Sequence, residues 1–151
     1  MKKELKNTKK KNNKGFSLVE LIVVIAIMAV LMAVLAPAML RYVEKSRIQK
    51  DNSAVAELVN ALNVTLSDED ATNAIPEATT SFTVTVAGST GNITFSDTNL
   101  KSGNKFYDEV TTTLKGSKLS ITSKEYKNQT DTITVEYKDK TWTVTDGGWK
   151  K

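Results

Sequence analysis

The sequence predicts an α+β fold, in which a long N-terminal α-helical spine packs on a small antiparallel β-sheet head. Three observations support this prediction: an apolar segment of helical length, an amphipathic segment that continues it, and a threonine-rich C-terminal half with alternating apolar residues. The 151 residues are enough for one modest domain and an appendage. We expect four regions, at residues 1–15, 16–40, 41–66 and 67–151.

The composition excludes most catalytic chemistry. The chain contains no cysteine and no histidine, which rules out disulfide scaffolds, Cys/His zinc sites and histidine-based acid–base catalysis. We therefore predict a protein that is not an enzyme, with no catalytic residue, cofactor or metal site. The acidic residues at 68–70, or Asp139 with Asp146, are an alternative calcium site, but a solvated loop is the ordinary state of such clusters.

The positive charge of the chain is concentrated in a short leader. Residues 1–15 contain seven lysines and one glutamate, whereas the other residues contain 14 basic and 16 acidic side chains. We predict a basic leader without a core of its own, in which Lys9, Lys10, Lys11 and Lys14 carry the charge next to the apolar segment. Because the head has no basic excess, we expect no nucleic acid to bind there.

Residues 16–40 predict a membrane-spanning helix. Glu20 is their only charged residue, and residues 21–40 are twenty positions without a charge. At 1.5 Å per residue this segment is about 30 Å long, the thickness of the hydrocarbon core of a bilayer. It shows no polar face, which a soluble helix of this length would have. The basic leader predicts a cytoplasmic N-terminus and an external head.

Residues 41–66 predict the amphipathic second half of the same helix. No glycine or proline interrupts the chain between Ala38 and Ser67. We place the charged residues, Asp51 among them, largely away from the apolar face. This face is expected to cover the sheet, and its members are Ile48, Val55, Leu58, Val59, Leu62 and Leu66.

Residues 67–151 predict a head built on an antiparallel β-meander. Threonine suits the solvated face of a strand, and 18 threonines lie between Thr72 and Thr145. A short helix is expected around Phe106 and Val110, closed by a glycine cap at Gly116. The alternating runs predict strands near residues 82–86, 93–95, 119–126, 133–137 and 142–144, with a tight turn at residues 139–140.

The junction between the leader and the apolar helix carries the most specific signal. Residues 14–20 read Lys-Gly-Phe-Ser-Leu-Val-Glu, which resembles the class III signal peptide of type IV pilins. The resemblance implies cleavage by a prepilin peptidase between Gly15 and Phe16, N-methylation of Phe16, and a role of Glu20 in filament assembly. Pro37 falls where members of the family often carry a helix proline, which implies a kink or local melting of the helix.

Elementary physical chemistry is compatible with these implied roles. A carboxylate within an apolar segment costs a few kcal/mol and is by default a functional residue. Cleavage would leave a cationic amine on Phe16, and two opposite charges in a dry bundle are far more stable together than apart. Pairing of Glu20 with the amine of a neighbouring copy would therefore set the register of assembly. Pro37 removes one helical hydrogen bond.

The resemblance implies a structural subunit of a type IV pilus, used for adhesion, motility or biofilm formation. Its implied partners are further copies of itself, the prepilin peptidase, a membrane assembly platform and cytoplasmic ATPases. Some priming subunits of the family lack the acidic residue found here at Glu20, so the resemblance implies a main subunit. Cysteine-free pilins are familiar in Gram-positive bacteria, and the Lys/Asn-rich composition fits that source. One alternative is a pseudopilin of a type II secretion or competence system. Another is a secreted soluble domain, cut after Ala38 within Ala36-Pro37-Ala38.

Overall fold

A computed structural model describes residues 15–150 of the chain. The lysines at the end of the leader, Lys9, Lys10, Lys11 and Lys14, lie outside the described residues. The elements are helices α1 (Leu18–Leu66), α2 (Glu69–Thr72) and α3 (Lys105–Thr113), and strands β1 (Ser81–Ala87), β2 (Ile93–Phe95), β3 (Thr130–Lys138) and β4 (Thr141–Lys150). The predicted α+β class, with one long helix before a small antiparallel sheet, is confirmed.

The first unit of the structure contains the apolar part of α1. The chain divides into two compact units between Leu40 and Arg41, although α1 is continuous from Leu18 to Leu66. The large apolar side chains from Leu18 to Leu40 are between 47 and 73 % exposed. By length and composition, α1 could cross a membrane. Pro37 lies inside the helix, which is assigned as α-helical on both sides of it.

The second unit contains a four-stranded antiparallel sheet in the order β2-β1-β3-β4. Strand β1 pairs with β3 from Ser81↔Glu136 to Ala87↔Thr130. Strands β3 and β4 form a hairpin whose two turn residues, Asp139 and Lys140, have φ angles of 52° and 67°. Two left-handed residues are the geometry of the turn that matches the twist of a hairpin, so the predicted tight turn at this position is confirmed.

The prediction of a strand at residues 119–126 is wrong. This segment has no assigned strand, and a single bridge joins the preceding Lys118 to Asn92. The backbone N–H groups of Thr122 and Ser123 donate to a carboxylate on α1, so they are not available to a neighbouring strand. The sheet is not the sequential meander that the alternating pattern predicted. Its strand order places β1 between β2 and β3.

The apolar face of the second half of α1 forms one core with the sheet and α3. Leu58 and Leu62 are fully buried, as are Phe106 of α3 and the strand residues Val84 and Ile133. Burying side chains of this size stabilises the fold by about 1.5–3 kcal/mol each. The predicted apolar face is therefore the layer that covers the sheet.

Helix α3 forms where the spacing predicted it, but it ends differently. Asn104 caps its first turn by accepting from the N–H groups of Phe106 and Tyr107. At the other end the left-handed residue is Lys115, with a φ of 57°. The backbone N–H of Lys115 donates to the carbonyl oxygen of Thr112, and the backbone N–H of Gly116 donates to the carbonyl oxygen of Thr111. This pair of bonds is a Schellman motif, so the predicted glycine cap is corrected to a lysine at the left-handed position.

We expect Gly91→Ala to destabilise the protein far more than Gly148→Ala. Both glycines are left-handed, with φ angles of 69° and 70°. A Cβ at Gly91 would lie 1.8 Å from the carbonyl oxygen of Leu119, whereas none of the described atoms lies within 4 Å of a Cβ at Gly148. Conformation alone costs about 1–2 kcal/mol, and the clash adds about 1–3 kcal/mol. Thermal unfolding of the full-length protein in detergent measures both, and equal losses would contradict the proposed close approach.

Candidate functional site

The junction before α1 is open on all sides in the described part of the chain. Gly15 is exposed and non-helical, and a Cβ built there would meet no atom within 4 Å. Phe16 is 92 % exposed, and the helix begins two residues later, at Leu18. The peptide bond between Gly15 and Phe16 therefore lies in non-helical chain. Packing against the described residues therefore does not require a glycine at position 15.

Glu20 lies in the first turn of α1 and caps it. Its Oε2 atom accepts a hydrogen bond of 2.8 Å from the backbone N–H of Ser17. This is one half of a capping box, in which the third helical residue satisfies a free N–H at the helix start. Ser17 directly follows Phe16. The carboxylate therefore lies one residue away from the amine that cleavage would create on Phe16. The Ser-x-x-Glu spacing was visible in the sequence and could have predicted this cap.

A second carboxylate, Asp51 of α1, is fully buried and binds the loop that follows α3. Its Oδ1 accepts from the backbone N–H and the hydroxyl of Thr122, at 2.9 and 3.1 Å. Its Oδ2 accepts from the backbone N–H of Ser123 at 2.7 Å. Burial raises the pKa of Asp51, but the hydrogen bonds from Ser123 and Thr122 outweigh burial and hold the pKa below its usual value. The buried group is therefore an ionised anchor.

Glu44 extends the same arrangement two helical turns earlier. Its Oε1 accepts from the backbone N–H groups of Lys124 and Glu125, so two carboxylates of α1 bind four consecutive residues. The prediction that Asp51 lies away from the packed face is wrong. Glu44 and Asp51 are seven residues apart, as are Asp51 and Leu58, so the spacing of the apolar face itself includes both carboxylates.

Two acidic residues of the candidate calcium cluster, Asp68 and Asp70, make ordinary structural contacts. Asp68 caps α2 by accepting from the N–H of Ala71 at 3.0 Å, and Asp70 pairs with Lys105 at 3.0 Å. Within residues 15–150, no group of three acidic side chains is placed to hold a metal ion.

A groove of about 820 Å³ lies at the C-terminal end of α1. Leu66, Ile75, Tyr137 and Trp142 are among the residues that line it. The ring centroids of Tyr137 and Trp142 are 5.0 Å apart. Trp142 also packs on the core. Sequence reasoning missed the groove, because it joins the end of a helix to a hairpin some 70 residues later in the chain.

Comparison with known proteins adds one match. Residues 10–36 match the family description "Prokaryotic N-terminal methylation motif". No curated protein and no solved structure matches the chain. The matched motif defines a structural, pilin-type class of protein and not a class of enzyme. Its position at the start of an apolar helix of membrane-spanning length indicates anchoring in a membrane. The methylation motif, the long helix and the small antiparallel head together support a type IV pilin-like prepilin.

Proposed function

We propose that the chain is the main structural subunit of a type IV pilus. It waits in the membrane as a prepilin with its leader in the cytoplasm, and a prepilin peptidase cuts it between Gly15 and Phe16. The new N-terminus is methylated, and the subunit then joins a helical surface filament. The observation that carries this proposal is the apolar part of α1, which is exposed on every side. Only lipid, or a bundle of similar helices, covers such a surface.

Glu20 favours a polymer over a plain membrane anchor. An anchor has no use for a carboxylate inside its apolar segment, where the charge costs a few kcal/mol. In a bundle of identical helices the same carboxylate gains a partner, because each copy brings one amine at Phe16. Assembly then becomes favourable at the one axial offset that joins the two charges.

The proposed partners are further copies of the chain, the prepilin peptidase, a membrane assembly platform and cytoplasmic ATPases. The filament serves adhesion, motility or biofilm formation. The absence of cysteine and the Lys/Asn-rich composition support a Gram-positive source. A role of Pro37 in bending or melting α1 during assembly belongs to the same proposal, because proline removes one backbone hydrogen bond from the helix.

The deciding experiment determines the N-terminus and intact mass of the protein sheared from cell surfaces. We expect abundant high-molecular-weight material that begins at N-methylated Phe16. A start at Met39 in a soluble fraction would instead make the chain a secreted domain. Uncleaved protein that still begins at Met1 and stays in membranes would mean that the leader only sets the orientation of the chain in the membrane. A start at Phe16 in protein that stays in the cell envelope would favour a pseudopilin.

A further inference from the structure

The groove at the end of α1 has the chemistry of a site for basic side chains. Tyr137, which is 46 % exposed, and Trp142 line the groove, and Lys and Arg bind aromatic rings of this kind through cation–π attraction. Glu69 and Glu77 also line the groove and are exposed. Among the residues that the structure describes, neither carboxylate makes a hydrogen bond or an ion pair. One cation, Lys140, lines the groove as well.

A basic surface lies at the N-terminal end of the amphipathic half of α1, residues 41–66. We call it the basic collar, and it consists of Arg41, Lys45, Arg47 and Lys50, all of which are exposed. Arg47 lies 3.6 Å from Glu44, whose carboxylate also accepts two backbone N–H groups from the loop after α3. The other three members of the collar have no ion-pair partner within residues 15–150.

The collar and the groove of one molecule cannot meet. Lys50 and Leu66 belong to one continuous helix, and 16 residues of helix separate them by about 24 Å. A contact between the two surfaces therefore requires two molecules that are displaced along the helix axis. Such a head-to-tail contact uses different surfaces on the two partners, and its repetition produces an open helical polymer.

We propose that the groove at the end of α1 receives basic side chains of the collar from a second copy of this chain. Glu69 and Glu77 pair with the incoming cations, and Tyr137 and Trp142 cover the aliphatic parts and the charge. This contact rests on the proposed pilus function. Its displacement of about 24 Å along the helix axis joins each head to a more distant copy in the filament than the copy that Glu20 contacts in the apolar core.

Charge reversal and its rescue test this contact in intact cells. Glu69→Lys with Glu77→Lys, or Lys45→Glu with Lys50→Glu, should each lower the yield of sheared filaments at least about tenfold, because like charges then face each other. All four changes in one chain should restore the yield to near the wild-type level. A purely structural effect would persist in the fourfold variant. Lys101→Glu with Lys127→Glu, two exposed lysines outside both surfaces, is the matched control and should have little effect.

Disulfide cross-linking tests the same contact without depending on how well the charge-reversal variants fold. The chain has no cysteine, so Lys50→Cys with Glu77→Cys, or Lys45→Cys with Glu77→Cys, introduces the only thiols. Oxidation of sheared filaments should produce a ladder of linked subunits with at least one pair, but not with Lys50→Cys and Lys101→Cys. Normal filaments without a ladder for either pair would overturn this contact alone. Wild-type cells without any sheared filament that begins at Phe16 would overturn the pilus function instead.

Discussion

Glu20→Gln and Glu20→Ala should both abolish surface filaments while the prepilin is still cut between Gly15 and Phe16. Each change leaves the amine of a neighbouring Phe16 without its counter-charge in an apolar bundle. Removing one member of such a pair costs about 3–5 kcal/mol, which corresponds to a loss of assembly by more than a hundredfold. The measurement is the amount of sheared filament, with the cleaved form in membranes as the control for processing.

The two substitutions separate the charge of Glu20 from its capping role. The side-chain oxygen of glutamine can still accept the hydrogen bond from the Ser17 N–H that Glu20 accepts at 2.8 Å, whereas alanine cannot. If capping were the main role, Glu20→Gln would retain filaments and only Glu20→Ala would lose them. Abundant normal filaments from both variants would remove Glu20 from the assembly mechanism altogether.

Asp51→Asn should be among the most destabilising changes in the head. The fully buried carboxylate accepts three hydrogen bonds from Thr122 and Ser123. Asparagine would replace one acceptor oxygen by an NH₂ group, which would face donors instead. Hydrogen bonds to a charged group contribute about 1.5–3 kcal/mol each, so we expect a loss of about 3–4 kcal/mol. Thermal unfolding of the full-length protein in detergent measures this loss.

The stabilisation from Asp51 should also depend on pH. Its pKa in the folded protein lies below that in the unfolded chain, for which about 3.9 is usual. The contribution is therefore complete above the unfolded pKa and is lost as the pH falls through the folded pKa. Asp51→Asn should remove this acid dependence. Asp70→Asn is the control, because Asp70 pairs with Lys105 at the surface, where ion pairs contribute little. Equal losses from the two variants would contradict the anchor role of Asp51.

The elements that the sequence predicted well are those whose pattern lies within one local segment. The long apolar part of α1, the packed face through Leu58 and Leu62, and helix α3 all depend on spacing within a few turns. The methylation motif was predictable for the same reason, because the residues that carry it are consecutive in the chain.

The features that sequence reasoning missed depend on partners far away in the chain. Residues 119–126 alternate like a strand, but the N–H groups of Thr122 and Ser123 find their acceptor on α1, more than 70 residues earlier. Asp51 was placed outside because an ionised carboxylate is rarely buried without such partners. No pattern in the local sequence shows that a loop will supply them.

The link between Asp51 and Ser123 spans 72 residues, and this distance governs the order in which the newly made chain acquires structure. Such distant contacts form slowly, because a long loop has to close before they stabilise anything. The apolar part of α1 needs no residue beyond Leu40, so it can enter the bilayer while the ribosome is still making the head. We therefore expect anchoring to precede folding of the head. A mutation that slows head folding would therefore leave a tethered, protease-sensitive chain at the membrane surface.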